Sequence, residues 1–454
     1  MNRAALLSAL LLAGCPDPTP PSDTDTPMDP EAHDPLSRPA EPTLDPADFE
    51  TSTTCAACHP DHVAEWSSSQ HADAIRDPVF QALSGVRVSN HDGHQTQFCI
   101  QCHSAIGVRG GEFGPGFTFD ALSPVVREGV TCVACHRISK LVRENNAGHV
   151  LDPTGPLRGP LADPTPTDAH GSEASPIFAQ SELCGSCHDV IEVSGLPLER
   201  AYAEWLESPA GADGRTCQDC HMPVRAGKAA VQGPDRPVIH SHRFIGVDVP
   251  LQDDFVDEAT RGVLIAATTA LLQSSADLSL AARPGAEPGG ELDLDVTVVN
   301  QVEGHSLPTG STFNRQLWIE LTVTDGNGDV VYISGDLDAQ GDLRNRWSGL
   351  DPYGDADLVT IGSGFVDPAG EPTLFPWLAA DHSSTAIPAG VQRTYRYFVP
   401  VPADAAAPLH ATARLRFRPL GPFLLRALGL DALVPRLGIV DMDEASADVT
   451  WEPL

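Results

Sequence analysis

Five copies of one short pattern constrain this chain more than any other feature. Each copy reads Cys-x-x-Cys-His, and the copies begin at Cys55, Cys99, Cys132, Cys184 and Cys217. Two thiols three positions apart can bond the two vinyl groups of one haem, and the adjacent His can reach its iron. A redox pair, a disulfide or a zinc site would explain one copy, but none requires a His after every pair. The pattern therefore predicts five covalently bound c-type haems.

The residues of these motifs form the core of the predicted site. The predicted attachment residues are Cys55, Cys58, Cys99, Cys102, Cys132, Cys135, Cys184, Cys187, Cys217 and Cys220. The predicted proximal iron ligands are His59, His103, His136, His188 and His221. Of the 11 cysteines only Cys15 lies outside the motifs, so we predict no disulfide.

The N-terminus has the features of an export signal. A short positive start is followed by an apolar run too short to span a bilayer. Its end, Leu-Ala-Gly-Cys at residues 12–15, resembles the lipobox of bacterial lipoproteins, which implies cleavage after residue 14 and lipidation of Cys15. The alternative is a plain secretory signal with an incidental Cys. We therefore expect an exported protein, lipid-anchored in the bacterial cell envelope at its periplasmic or outer-membrane face.

The charge of the chain restricts its partners. The formal net charge is −34, and the only lysines are Lys140 and Lys228. Such an acidic chain argues against nucleic acid as a partner, and against anionic lipid beyond the predicted anchor. We expect the partners to be other redox proteins, basic cytochromes among them, although an acidic surface can also serve solubility or salt adaptation alone.

The composition changes along the chain and predicts its domains. Residues 15–50 are dense in Pro, Asp, Thr and Glu, which is typical of a disordered tether. Residues 51–250 carry all five motifs, with short helices predicted at 60–74 and 197–207 between Gly- and Pro-rich loops. Residues 251–280 are predicted to form a connecting helix.

The connecting helix is placed at residues 254–274 by its spaced apolar residues. Beyond it, residues 281–454 alternate apolar and polar residues at period two, which predicts an antiparallel β-sandwich. The predicted strands are residues 292–299, 317–324, 330–334, 393–399 and 411–417. Residues 325–328 form the predicted hairpin turn; a Ca²⁺ loop is the alternative, but the required Gly and Glu offsets are missing. The predicted fold class is mixed: a haem-dominated, mostly helical or irregular N-terminal domain and a β-sandwich.

Several segments around the motifs resemble multihaem cytochromes related to cytochrome c554. They are residues 55–62 with Trp66 and Ser-Gln-His-Ala at 69–72, Gly-Val-Thr at 129–131, Ser-Glu-Leu at 181–183, and residues 217–223 with Ser-His-Arg-Phe at 241–244. The resemblance covers residues 51–246. It implies that His71, His170 and His242 are distal iron ligands.

Other histidines of this region lack that support. His94 and His149 are further distal candidates, with a surface or hydrogen-bonding role as the alternative for each. His62 lies one helical turn beyond His59 and is left out, because it is too close along the chain to reach the opposite face of the same haem.

A second group of residues lies in the predicted sandwich. Gly-His-Ser-Leu-Pro-Thr-Gly at residues 304–310, with Asn300, Arg315 and Trp318 nearby, resembles an element of the C-terminal β domain in related multihaem cytochromes. A His framed by Gly and Pro is rigidly displayed. We predict that His305 crosses the domain interface and ligates a haem; the alternative is a hydrogen bond within its loop.

Two functions remain open on this basis. The surplus of histidines favours an electron carrier with two His ligands per iron. The rival is a multihaem oxidoreductase acting on a small nitrogen or sulfur compound at one open iron. Some enzymes of this kind have a Lys in place of the motif His, or a Tyr bonded to the haem. This chain has no Cys-x-x-Cys-Lys motif, and Tyr202 is the only tyrosine of its haem region, which weakens the enzyme hypothesis. A structural or adhesive lipoprotein would leave five haems unexplained.

Overall fold

The chain folds into a haem-motif half and a β half joined by one helix. A computed structural model describes residues 42–91, 97–114 and 116–451. Within these ranges no helix is both long and apolar enough to cross a membrane. Cys15 and His94 lie outside the described residues, as does the predicted signal peptide.

Short helices dominate the haem-motif half. Helices α1 to α11 are Ser52–Ala56, Pro60–Trp66, Gln70–Asp73, Pro78–Asn90, Gln97–His103, Ala105–Arg109, Cys132–His136, Ser181–His188, Ala201–Leu206, Pro209–Ala212 and Cys217–His221. Each Cys-x-x-Cys-His motif begins in a helix of eight residues or fewer. In α11 Thr216 and Asp219 form a capping box, which satisfies backbone N–H groups that a helix start leaves open.

The strands of this half are short as well. Strands β1 to β8 are Ile138–Leu141, His149–Leu151, Leu157–Gly159, Ser172–Ala174, Val190–Ile191, Pro197–Glu199, Val224–Lys228 and Asp235–His240. They pair in twos: β1 with β2, β3 with β4, β5 with β6, and β7 with β8.

Two helix predictions differ from the structure. The helix predicted at 60–74 is broken between Trp66 and Gln70, because Ser69 caps a new helix by accepting a hydrogen bond from the N–H of Ala72. The helix predicted at 197–207 begins only at Ala201, since Pro197–Glu199 pairs as β6.

The folded region begins before the predicted boundary. Residues 42–50, assigned by the sequence to the tether, pack on the haem-motif half: the N–H of Thr43 donates to the carbonyl of Arg109 at 2.9 Å. Phe49 is buried in a cluster with Ile100, Ile106 and Phe113. This cluster is the main apolar core of the half.

One helix connects the two halves. Helix α12, Glu258–Gln273, is shorter than predicted because Asp257 caps it through the N–H of Thr260 at 2.7 Å. The following strand begins at Ala276, inside the range predicted for the connecting helix.

The β half contains two large antiparallel sheets. Strands β9 to β19 are Ala276–Ala282, Glu291–Asn300, Gln316–Thr324, Val330–Ser334, Thr360–Ile361, Ser363–Val366, Pro372–Thr373, Asp381–Ser384, Gln392–Pro400, Leu409–Arg418 and Val440–Val449. One sheet has the order β17-β10-β9, and the other has β12-β11-β18-β19 with β13 beside β11. Strands β14 to β16 form a smaller sheet.

The two large sheets bury a common core. Strand β10 alternates buried and half-buried residues, and its Leu292 and Val296 share one apolar cluster with Leu317 and Leu415 of the other sheet. All five predicted strands are present. The predicted turn at residues 325–328 is present too, because Asp325 accepts hydrogen bonds from the backbone N–H groups at positions 327 and 329 and stabilises it.

Both apolar contacts and an ion pair join the two halves. Val79 of α4 belongs to an apolar cluster with Leu424 and Leu425 of α13, Pro422–Ala427. Arg315 of the β half makes a two-fold ion pair with Asp248, at 2.6 and 2.7 Å. The β half is therefore held against the haem-motif half near the predicted ligand loop.

Candidate haem-binding sites

Four of the five motif histidines are oriented by a backbone carbonyl outside their own motif. A carbonyl only accepts, so Nδ1 carries the proton and Nε2 keeps its lone pair for a metal. The Nδ1 contacts are His59 with Ala229 at 2.6 Å, His103 with Ala74 at 2.8 Å, His136 with Arg158 at 2.5 Å and His221 with Ile245 at 2.9 Å.

Four motif histidines also face a second imidazole at nearly constant distance. The ring-centre distances are 6.4 Å for His59 and His170, 6.3 Å for His136 and His242, 6.1 Å for His188 and His71, and 6.3 Å for His221 and His305. Metal–imidazole bonds are about 2 Å long and each ring centre lies about 1 Å behind its nitrogen, so a metal between two rings separates their centres by about 6 Å. The residues therefore fit haem irons held by two histidines each.

The protonation state of the second rings suits a ligand. Burial lowers the pKa of His71 to about 4, that of His242 to about 3 and that of His305 to about 4. These imidazoles are neutral at pH 7, and a neutral imidazole is the form that binds a metal. Their ligation of iron stays a prediction, but the structure assigns each a partner, which the sequence did not.

His103 differs from the other motif histidines. Its ring stacks on Phe80 with centres 3.7 Å apart, and among the described residues it has no ring contact with another His. The residue left out by the sequence, His62, lies 6.2 Å from His59 with ring planes 75° apart and 4.7 Å from His242. His62 thus lies beside two predicted haem ligands.

His149 is not brought to a motif His. Its Nε2 lies 2.9 Å from a guanidinium nitrogen of Arg109, which donates, and its Nδ1 lies 3.4 Å from Ser186 Oγ and 4.0 Å from Cys187 Sγ. The side chain is 2% exposed. These contacts favour the hydrogen-bonding alternative for His149. The other distal candidate, His94, lies outside the described residues.

The motif thiols approach one another between motifs. Thiols of different motifs are neighbours: Cys55 influences the pKa of Cys132, Cys102 that of Cys187, and Cys184 that of Cys217. In the described ranges, no group of three or more His, Cys, Asp or Glu side chains is arranged to hold a bare metal ion.

The loop at residues 304–310 brings a side chain of the β half to the last motif. Asn300 is 1% exposed, and its amide donates to the carbonyls of His305 at 3.0 Å, Ile387 at 2.9 Å and Pro388 at 3.1 Å. His305 Nδ1 donates to the carbonyl of Ser306 at 2.9 Å, leaving Nε2 available. Both the ligand role and the loop hydrogen bond considered from the sequence are therefore compatible with the geometry.

Comparisons with known proteins agree with this geometry. The family "Cytochrome c554 and c-prime" matches residues 54–137. No curated protein matches the chain. The fold is similar to a penta-heme cytochrome c552 from Thermochromatium tepidum, with a TM-score of 0.62 and 22% identity over 89% of this chain and 100% of that one. The chain resembles multihaem c-type cytochromes.

Sequence reasoning missed one residue of the site. Glu204, in α9, accepts hydrogen bonds from the loop that carries His305. Burial raises its pKa, and the bonds from Thr309 and Ser306 oppose that rise. No motif marks Glu204, because its partners lie about a hundred positions away in the β half.

Proposed function

We propose that the protein is a pentahaem c-type cytochrome that passes electrons between redox partners in the bacterial cell envelope. The observation that supports this most is the set of four imidazole pairs at 6.1 to 6.4 Å. An iron with two His ligands has no free position for substrate, so it serves electron transfer. The bound haems would supply the one-electron redox chemistry, and the chain's own residues hold and orient them.

The contacts between motifs support transfer inside the protein. A thioether bond joins the edge of a haem to its Cys, so cysteines of two motifs in contact bring two haem edges together. The contact between Cys55 and Cys132 links the first and third motifs. Those of Cys102 with Cys187 and of Cys184 with Cys217 link the second, fourth and fifth.

Electron paramagnetic resonance of the oxidised protein tests the proposal. We expect low-spin signals from at least four haems, and five haem additions in the intact mass of the denatured protein. Fewer than four low-spin haems would contradict the assignment of His71, His170, His242 and His305 as distal ligands. Fewer than five haem additions on processed protein would contradict the count.

A second candidate function rests on His103. Within the described residues its ring has no imidazole partner and stacks on Phe80 instead. An open iron there would permit turnover of a small nitrogen or sulfur compound. Carbon monoxide binding by one haem of the reduced protein would favour this candidate. No binding in wild type, with binding in a His94→Ala variant, would instead make His94 the missing ligand.

We also propose that Cys15 is lipidated and that partners include basic redox proteins. A Cys15→Ala variant should leave the membrane fraction with its haem spectrum unchanged. Continued membrane association would refute the anchor. Binding of a basic cytochrome should weaken as salt rises, because the chain's charge of −34 would attract it.

A further inference from the structure

The loop that carries His305 is held from both sides of the domain interface. Its own half fixes it through Asn300 and through paired backbone bonds between Leu307 and Ile387, at 2.8 and 2.9 Å. The haem-motif half contacts it at one end, where the N–H of Ala210 donates to the carbonyl of Glu303 at 3.0 Å. At the other end Glu199 accepts from the hydroxyl of Ser311.

Glu204 is the residue of the haem-motif half whose hydrogen bonds to the loop come nearest to His305 along the chain. Its Oε2 accepts from the N–H of Ser306 at 3.1 Å and from the hydroxyl of Thr309 at 2.6 Å. Ser306 follows His305 directly, so one carboxylate oxygen joins the haem-motif half to the backbone beside the imidazole. Helix α9, which carries Glu204, packs on helix α8 with the fourth motif. The loop is thus fastened to the part of the molecule that carries the haem motifs.

We propose that Glu204 is the positioning residue that holds His305 against the iron of the fifth motif. This inference rests on the proposed ligation of that iron by His305. A ligand from another domain must meet a fixed iron within a fraction of an ångström, so residues that lock its backbone decide how fully it stays bound. Glu204 makes the sixth coordination position of one haem depend on the docking of the β half.

The size of the effect follows from the two hydrogen bonds. Both are accepted by a partly buried carboxylate, and such charge-assisted bonds are stronger than neutral ones. Losing both should lower the equilibrium constant for His305 binding by about 10- to 100-fold. The fraction of the fifth haem lacking a sixth ligand should rise by at least about tenfold.

The test compares four variants by spin state and by carbon monoxide binding of the reduced protein. Glu204→Leu removes both bonds at similar volume. Glu204→Gln keeps one oxygen that can accept both, because both bonds reach a single oxygen. Thr309→Val removes only the hydrogen bond from the Thr309 hydroxyl to Glu204, and no residue of the haem-motif half is changed. The matched control is Glu303→Gln, which removes a charge two residues from His305 whose ion pair with Arg215 is solvent-exposed.

We expect a high-spin, carbon monoxide-binding haem in Glu204→Leu, a smaller fraction in Thr309→Val, the smallest in Glu204→Gln, whose bonds are neutral, and wild-type behaviour in Glu303→Gln. A low-spin fifth haem in both Glu204→Leu and Thr309→Val would overturn the proposal, and Thr309→Val decides alone if Glu204→Leu does not fold. The variant His305→Ala tests ligation by His305 separately from positioning by Glu204. If it creates a high-spin haem while the Glu204 and Thr309 variants do not, ligation stands and the positioning role fails; if it creates none, both fail.

Discussion

The buried ion pair of Arg87 and Glu192 gives the sharpest prediction for stability. Their side chains are 1% and 3% exposed, and two nitrogen–oxygen contacts of 2.8 and 3.0 Å join them. The Arg87 guanidinium also lies 4.7 Å from the ring centre of Phe98, the residue before Cys99. Glu192→Gln replaces the carboxylate that faces this buried guanidinium with a neutral amide. We expect a loss of about 3–5 kcal/mol in the free energy of unfolding of the haem-motif half.

The assay is guanidinium-induced unfolding, followed by far-ultraviolet circular dichroism and by the haem absorption. Glu303→Gln again serves as the control, because the Glu303 side chain is 58% exposed and that of its partner Arg215 is 41% exposed. Such an exposed ion pair should contribute less than about 1 kcal/mol to the free energy of unfolding. A double change, Arg87→Met with Glu192→Leu, should recover part of the loss, since it removes both charges of this pair together. Equal effects of Glu192→Gln and Glu303→Gln would refute the reasoning.

Three further substitutions test the supports of the haem sites. Gly129→Ala should destabilise the fold by about 1–2 kcal/mol or more, because φ is +67° and the new Cβ would lie 2.9 Å from the carbonyl oxygen of His71. Thermal unfolding measures the loss, and the low-spin haem signal shows whether the site is disturbed. Gly185→Ala places a Cβ 2.5 Å from the ring of Tyr202, so the yield of haem-loaded protein should fall, and Tyr202→Ala in addition should restore it. Asn300→Asp turns three donated bonds into oxygen–oxygen contacts and should cost about 2–4 kcal/mol in chemical unfolding, whereas an unchanged midpoint would contradict the bonds.

The β half was the easier part to predict from sequence. Strands with one buried face must alternate at period two, as residues 291–300 do, and the alternation survives in any packing that buries that face. Strand β19, Val440–Val449, was not predicted, because its exposed positions are acidic or small and only Met442 and Val449 are buried. An edge strand of this kind has too few apolar residues to show a period.

Ligand pairing could not be predicted, because it is a property of tertiary structure. His170 faces His59 and His71 faces His188, although long stretches of chain with other histidines lie between the members of each pair. The single helix predicted at residues 60–74 was wrong, because the Ser69 side chain accepts a backbone hydrogen bond and starts a new helix. The motifs themselves were readable, because their chemistry needs fixed local spacing.

The closeness of cysteines from different motifs has a consequence for maturation. A chain that folded before receiving its haems would hold Cys55 against Cys132 and Cys184 against Cys217, and the contact with Cys184 lowers the pKa of Cys217. In an oxidising compartment such neighbouring thiols form disulfides across the motifs. Each of these crosslinks would remove the attachment points of two haems at once. Haem attachment that precedes folding would avoid these crosslinks, because each sulfur would already be bonded when the thiols meet.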